Sequence, residues 1–333
     1  GHNIDAFHEA VAEIRKLTRK PFGVDLLLPS VGGPAKGEPS APARGEVDPR
    51  YWRWVDDTLE HLGVPPASGY ALAAGNDGPF TETPYAAAER QQRHIDAIIK
   101  ERPAVFAAGL GSPAAYIPAL HQAGITVFGL VGNVKTARRV QRDGVDVIVA
   151  QGYEAGGHTG RVGTFALVPQ VVDAVSPTPV VLAGGVGDGR AVAAALALGA
   201  QAVWVGTAFL ATPEANILPE HRQHVVDASD EDTRVTRLYS GKTARALHNP
   251  LVEAWEQSGL PPLPMGLQGQ ISGRLLAAAR AAGRNDLAMQ LGGQIAGSIT
   301  AIRPAHIVLE EMVREAVDVL TALSHHSVTF VSA

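Results

Sequence analysis

The chain has 333 residues, 46% apolar and 18% charged, with 36 glycines and 23 prolines, a balance that excludes disorder and implies a large core cut by tight turns. Lys and Arg number 28 against 33 Asp and Glu, for a formal charge of −5, and cysteine is absent; this argues against nucleic-acid binding and excludes disulfide scaffolds, thiolate metal sites and a cysteine nucleophile. No apolar run reaches the ~18 residues of a membrane span and no signal-type segment follows Gly1, so a soluble cytoplasmic protein is expected.

A helical pattern at residues 5–17 leads into an apolar run at 22–28 that reads as a strand. Residues 29–49, rich in Pro, Gly and Ala, read as a loop. Asp48 then N-caps a helix with Pro49 in its first turn, carrying Tyr51, Trp52 and Trp54 to a stop at Gly63. A second helix begins at Thr83-Pro84 and ends before Pro103. This insertion, residues 29–102, leaves the C-terminal end of a strand, where barrel active sites lie, and is either a lid or a surface elaboration. Its aromatic cluster reads as helix core rather than a substrate cage.

From residue 104 a regular alternation sets in. Strands are expected at 104–110, 126–131, 145–151, 180–183 and 202–209, and helices at 113–123, 134–142, 167–175 and 190–198. Strands apolar on both sides of the pleat imply a parallel sheet covered by helices. A doubly wound dinucleotide fold would use Gly109-Leu110-Gly111-Ser112-Pro113-Ala114. The following strand, however, closes on Val131-Gly132-Asn133 and lacks the ribose-binding carboxylate. The better reading is a (βα)8 TIM barrel, an α/β fold, of which the run at 22–28 and these five strands supply six. After Phe209 the strands stop, and residues 213–298 read as helical with proline-rich joints. A last helix, 304–323, aligns Val308, Met312, Ala316, Val319 and Leu323 for packing on the barrel. The expected organisation is a barrel over 1–215, a small helical substrate or lid domain over 216–299, and a returning helix in 300–333.

Two segments carry chemistry. Ala183-Gly-Gly-Val-Gly-Asp-Gly-Arg190 closes one strand and opens a helix, and Val203-Trp-Val-Gly-Thr207 ends the next. Glycines at successive strand ends expose backbone N–H groups to an anion, as in the phosphate grip after barrel strands seven and eight; two ordinary tight turns are the plain alternative. Numbered this way, the six strands would be three to eight, and strands one and two are expected to be missing from the N-terminus. The second segment is Ala150-Gln-Gly-Tyr-Glu-Ala-Gly-Gly-His158. Gln151 offers a donor and an acceptor to a flat heterocycle, Gly156 and Gly157 permit close approach, and His158 is the acid/base candidate. Glu154 either orients His158 or faces water.

These segments, together with Lys20-Pro-Phe-Gly-Val-Asp-Leu-Leu-Leu-Pro29 and Gly206-Thr-Ala-Phe-Leu210, make the chain resemble the nitronate monooxygenases, FMN-dependent barrels related to flavin-containing enoyl-acyl-carrier-protein reductases. The resemblance runs from about residue 14 to the C-terminus. The family usually begins with two further strands, which agrees with the strand count. The resemblance implies non-covalent FMN and no metal. It makes Gln151 and Gly156 flavin-contacting, and Gly184, Gly185, Trp204, Val205, Gly206 and Thr207 the phosphate and ribityl grip. Asp25 stands where the family commonly has Asn, and Trp204 where Gln is common. His158 matches the family's active-site histidine, a hydrogen-bond donor to the nitro group or a base toward a neutral nitroalkane. The implied reaction is oxidation of alkyl nitronates by O2 to carbonyl compounds and nitrite. The alternatives are an NAD(P)H-dependent flavin reductase of quinones or enoyl thioesters, and a non-enzymatic flavin-binding module. The expected partners are a small-molecule substrate and a second copy in a homodimer.

Overall fold

The computed structural model describes residues 4–28, 47–65 and 84–325. Most of the 29–49 loop expectation, and Thr83, therefore lie outside the described residues. Helix α1 (Ile4–Leu17) leads into strand β1 (Gly23–Leu27). Helix α2 (Pro49–His61) starts as its sequence requires, with the Asp48 carboxylate accepting the Arg50 N–H at 2.9 Å and Pro49 in the first turn. Helix α3 (Pro84–Glu101) precedes the repeat. The repeat then runs β2 (Val105–Gly109), α4 (Ile117–Gln122), β3 (Thr126–Val131), α5 (Val134–Asp143) and β4 (Val147–Gln151). A two-residue strand β5 (Gly157–His158) and α6 (Thr164–Val175) follow. Next come β6 (Val180–Ala183), α7 (Gly189–Ala197), β7 (Ala202–Trp204) and the short α8 (Thr207–Leu210).

Six strands form one sheet in the order β1-β2-β3-β4-β6-β7, every pair parallel. Strictly sequential order has no switch point, which rules out the doubly wound arrangement and leaves a half-barrel. Among the described residues β1 and β7 are the sheet edges. The two-residue period sorts the side chains. Phe106, Val127, Ile148 and Leu182 enter the core under the helices. Val149, Val181 and Ala183, with Phe128, Leu130 and Val147, form the inner face. Gln151, Ala183 and Trp204 are register neighbours across β4, β6 and β7, so Gln151 and Trp204 share that inner face at its C-terminal rim.

Two expectations need correction. The run at 202–209 is not one strand: β7 ends at Trp204, and Gly206, at φ −114° and ψ −68°, turns the chain into α8. Residues 213–298 are not wholly helical. After α9 (Pro219–Asp227) come β8 (Thr233–Thr236) and β9 (Ala244–Leu247), then α10 (Pro250–Gln257) and α11 (Met265–Ala281). Strands β5, β9 and β8 make a small antiparallel sheet. Each is four residues or fewer, too short for a periodic pattern to emerge, and the pairing of β5 with β9 is a long-range event.

Helix α2 belongs to the C-terminal helices. Tyr51, Val55 and Leu59 are buried with Leu267, Ile271 and Leu275 of α11, and the Tyr51 hydroxyl donates to the Pro261 carbonyl at 2.7 Å. Trp54 meets Trp255 edge-on with centroids 5.3 Å apart. The aromatic cluster is core, as expected. Helix α12 (Ala305–Ser324) returns to α7 and buries Val308, Met312 and Ala316. Leu323 is exposed, so the packed stripe is shorter than its sequence pattern. No helix among the described residues is long and apolar enough to cross a membrane.

Candidate active site

The C-terminal rim of the sheet holds two adjoining cavities. One, of about 240 Å³, is lined by Gln151, Glu154, Gly156, Gly184, Gly185, Trp204, Gly206 and Thr207, with Leu291 and Ile295. The other, of about 520 Å³, is lined by Asn133, Arg139, Gln151, Gly156, His158, Lys242 and Thr243, among others. They share Leu130, Gln151, Gly156, Gly157 and Leu291 as a common wall.

The first cavity is made largely of backbone. After β6 the chain turns through Gly184 at φ +93° and Gly185 at φ +80°, a conformation L side chains rarely adopt. Among the described residues the N–H groups of Gly185 and Gly206 have no protein acceptor. The Thr207 hydroxyl accepts the Gly293 N–H at 2.9 Å and can still donate. The first-turn N–H groups of the helix that follows the glycines are already taken. The N-terminus of α7 is closed by the chain's own carboxylates: Asp188 accepts the Ala191 N–H at 3.1 Å and Glu315 accepts the Gly189 N–H at 2.7 Å. Gly189 serves packing instead, since a Cβ there would lie 2.3 Å from the Ala316 nitrogen.

The loop from β4 to β5 separates the cavities. Gln151 Nε2 donates to the His158 carbonyl at 2.7 Å, using one of its two N–H donors to fold the loop back over the sheet end. Gly156 is required by proximity: a Cβ would fall 2.8 Å from the Gly292 carbonyl carbon and the Gly293 nitrogen. Glu154 does not orient His158. Its carboxylate accepts the Thr164 N–H at 2.8 Å and the Thr164 hydroxyl at 2.7 Å, closing the N-terminus of α6 with a favourable charge. This cap also explains why α6 begins at Thr164 rather than 167.

His158 borders the second cavity, with Nε2 2.8 Å from the Ser240 hydroxyl. Burial and the nearby Lys242 ammonium hold its pKa below the ordinary histidine value, so the imidazole is neutral at neutral pH. Asp25 and Val205 line neither cavity. Val205 packs toward the helix-side core. Asp25 pairs in register with Ala107, mid-strand on β1. Its surface is exposed among the described residues, yet the protein around it desolvates the carboxyl and pushes it above the usual carboxylate range. The remaining predicted residues, Gln151, Gly156, His158, Gly184, Gly185, Trp204, Gly206 and Thr207, gather on the two cavities.

Sequence reasoning missed the walls supplied by the C-terminal region, Lys242, Thr243, Leu291 and Ile295, and the buried Ser240 that meets His158 from behind them. The glycine-rich run Leu291-Gly-Gly-Gln-Ile-Ala-Gly297 was the available signal, since closely spaced glycines after a helix mark a close backbone approach.

Comparison with known proteins gives the site its context. The nitronate monooxygenase family model matches residues 2–315. A Staphylococcus aureus protein named "Probable nitronate monooxygenase" is 34% identical over 328 residues, covering 94% of this chain and 84% of that one. The crystal structure of a nitroalkane oxidase from Streptomyces ansochromogenes superposes with a TM-score of 0.76 at 28% identity, over 97% of this chain and 88% of that chain. FabK from Thermotoga maritima superposes with a TM-score of 0.69 at 29% identity, over 97% and 84%. The chain belongs to the nitronate monooxygenase family and is an oxidoreductase.

Proposed function

We propose that this oxidoreductase binds FMN and oxidises alkyl nitronates with O2 to carbonyl compounds and nitrite. The observation that carries the reading is a glycine-built cradle joined to a second compartment whose lining holds Arg139, Lys242 and His158 and, among the described residues, no carboxylate. That lining favours an anion such as a nitronate and disfavours a cation.

The residues fit an FMN. The unpaired N–H groups of Gly185 and Gly206, with the Thr207 hydroxyl, suit a phosphate. The Gln151 amide, at the wall common to both cavities, suits the polar edge of a heterocycle. A Cβ at Gly156 would enter the backbone of residues 292–293 and displace the loop that would face the ring. Bound FMN would supply the redox chemistry. The chain's own residues would bind and orient. Lys242 and Arg139 would draw the anionic substrate in, and the neutral His158 would donate a hydrogen bond to the substrate's nitro oxygens or remove a proton from the neutral nitroalkane. We also read the sheet as part of an eight-stranded barrel, in which two further strands would join the β1 and β7 edges.

A second reading is a reductase that takes hydride from NAD(P)H for quinones or enoyl thioesters. The likeness to FabK supports it, and the same cationic compartment would accept a phosphorylated nucleotide. Anaerobic mixing of the flavin-loaded protein separates the two. Bleaching of the flavin by an alkyl nitronate, with little response to NADH or NADPH, supports the oxygenase. The reverse pattern supports the reductase, and a protein that takes up no FMN overturns both.

A further inference from the structure

The segment 290–294 crosses the sheet end and is the part of the C-terminal region that closes both cavities through Leu291. On its inner side it is tied to the rest of the site. Leu247 N–H donates to the Gln290 carbonyl at 2.8 Å, Leu291 bridges to Ala246 of β9, and Gln294 N–H donates to the Glu154 carbonyl at 3.0 Å. Gly293 N–H donates to the Thr207 hydroxyl at 2.9 Å. The backbone of Gly292 and Gly293 presses on Gly156 closely enough that no Cβ fits between them.

The Leu291 carbonyl faces the other way, toward α9. There His221, 8% exposed, places Nε2 3.1 Å from it. A carbonyl can only accept, so Nε2 carries the proton and donates. One turn on, His224 Nδ1 meets the Gln290 side-chain oxygen. Burial holds the His221 pKa below the ordinary value, with His224 adding to it and the hydrogen bond to the Leu291 carbonyl only partly offsetting it, so the ring stays in a neutral donor form.

We infer that His221 is a positioning residue for this active site: its hydrogen bond to the Leu291 carbonyl holds the 290–294 segment in place as the common wall of both cavities. His221 itself lines neither of the two cavities. It acts through Leu291 and, by the Gly292–Gly156 contact, on the loop that carries His158. The consequence for cofactor binding rests on the FMN reading; the consequence for the segment itself does not.

The test combines hydrogen–deuterium exchange with FMN titration of the full-length protein, for wild type, His221→Leu and His221→Gln. Loss of one buried hydrogen bond should raise exchange at the Gly293 and Gln294 amides, and weaken FMN binding, by roughly 3- to 10-fold. Exchange in β3 and β4 should stay as in wild type. Glutamine offers an N–H donor of similar reach and should restore both readouts to within about twofold. If His221→Leu does not yield folded protein, His221→Asn, whose amide is too short to reach Leu291, carries the same expectation. Unchanged exchange at residues 293–294 would overturn the inference and leave His221 a packing residue. Faster exchange without weaker FMN binding would also overturn it, since the wall would then not shape the site. A wild type that binds no FMN would sink the functional reading, and exchange at residues 293–294 would then decide the role of His221 by itself.

Discussion

Gly156→Ala and Gly206→Ala form a pair whose difference follows from geometry. Both glycines line the first cavity. At Gly156 the new methyl would sit 2.8 Å from backbone carbon and nitrogen of Gly292 and Gly293, where relaxed carbon contacts need ~3.5 Å. The segment 290–294 must therefore withdraw by about 0.7 Å, against its bonds to Glu154 and Thr207. Overpacking of this kind costs about 1–3 kcal/mol, and no flexible side chain is present to absorb it. At Gly206 a Cβ meets nothing within 4 Å and φ is negative, so the fold should be unaffected. The assay is thermal unfolding of both variants without flavin, followed by FMN titration. Gly156→Ala should lower Tm by several degrees, at roughly 2–4 °C per kcal/mol for a chain of this size, and Gly206→Ala should leave it within about a degree. If phosphate approaches the Gly206 N–H, Gly206→Ala should still weaken FMN binding. Equal melting temperatures for Gly156→Ala and wild type would refute the claim that this glycine is demanded by the 290–294 segment.

Lys242→Met should move the acid limb of the pH profile for kcat/KM on neutral nitroalkanes to higher pH. The Lys242 charge holds the His158 pKa down; without it the imidazole stays protonated to higher pH and the neutral base appears later. Lys242→Arg should leave the limb near its wild-type place, and a limb that moves down would contradict the assignment. Arg102 ends α3 at φ +49°, where a non-glycine residue is strained. Arg102→Gly should therefore stabilise the protein by about 1 kcal/mol, less the extra chain entropy of glycine, read as a small rise in Tm; a fall would show that its side chain contributes more than the strain costs.

The parts of the fold legible in the sequence are those whose signals are local. Asp48-Pro49 announces the start of α2 because the cap and its target lie two residues apart. Asn133 and Asp188 cap α5 and α7 in the same way, accepting N–H groups three residues on. The core strands stand out because residues such as Val180–Ala183 are buried on both faces. What stayed hidden depends on distant partners. Strand β5 is two residues long and exists only because residues 244–245 pair with it. Glu154 was ambiguous because its partner, Thr164, is reached by a loop rather than a helical turn. Leu291 gave no side-chain clue, since its part in the site is played by position.

The division of labour within the site explains why family membership and chemistry separate here. The first cavity is shaped by backbone: the Gly184–Gly185 turn, Gly206, and the interlocked residues 156 and 292–293. On the FMN reading such a cradle would hold a phosphate and a flat ring whatever is reacted above it. The charged and ionisable side chains Arg139, His158 and Lys242 line the second compartment. Lys242 reaches it from the turn between β8 and β9, where Ser240 contacts His158. On the proposed reading, Arg139, His158 and Lys242 are the groups that would tell substrates apart. Changing that turn would alter the proton affinity of His158 and the charge offered to a substrate without touching the cradle. The nitronate and NAD(P)H readings therefore differ in what this compartment admits, and substitutions at Lys242 and Arg139 should redistribute activity between them while FMN affinity stays constant.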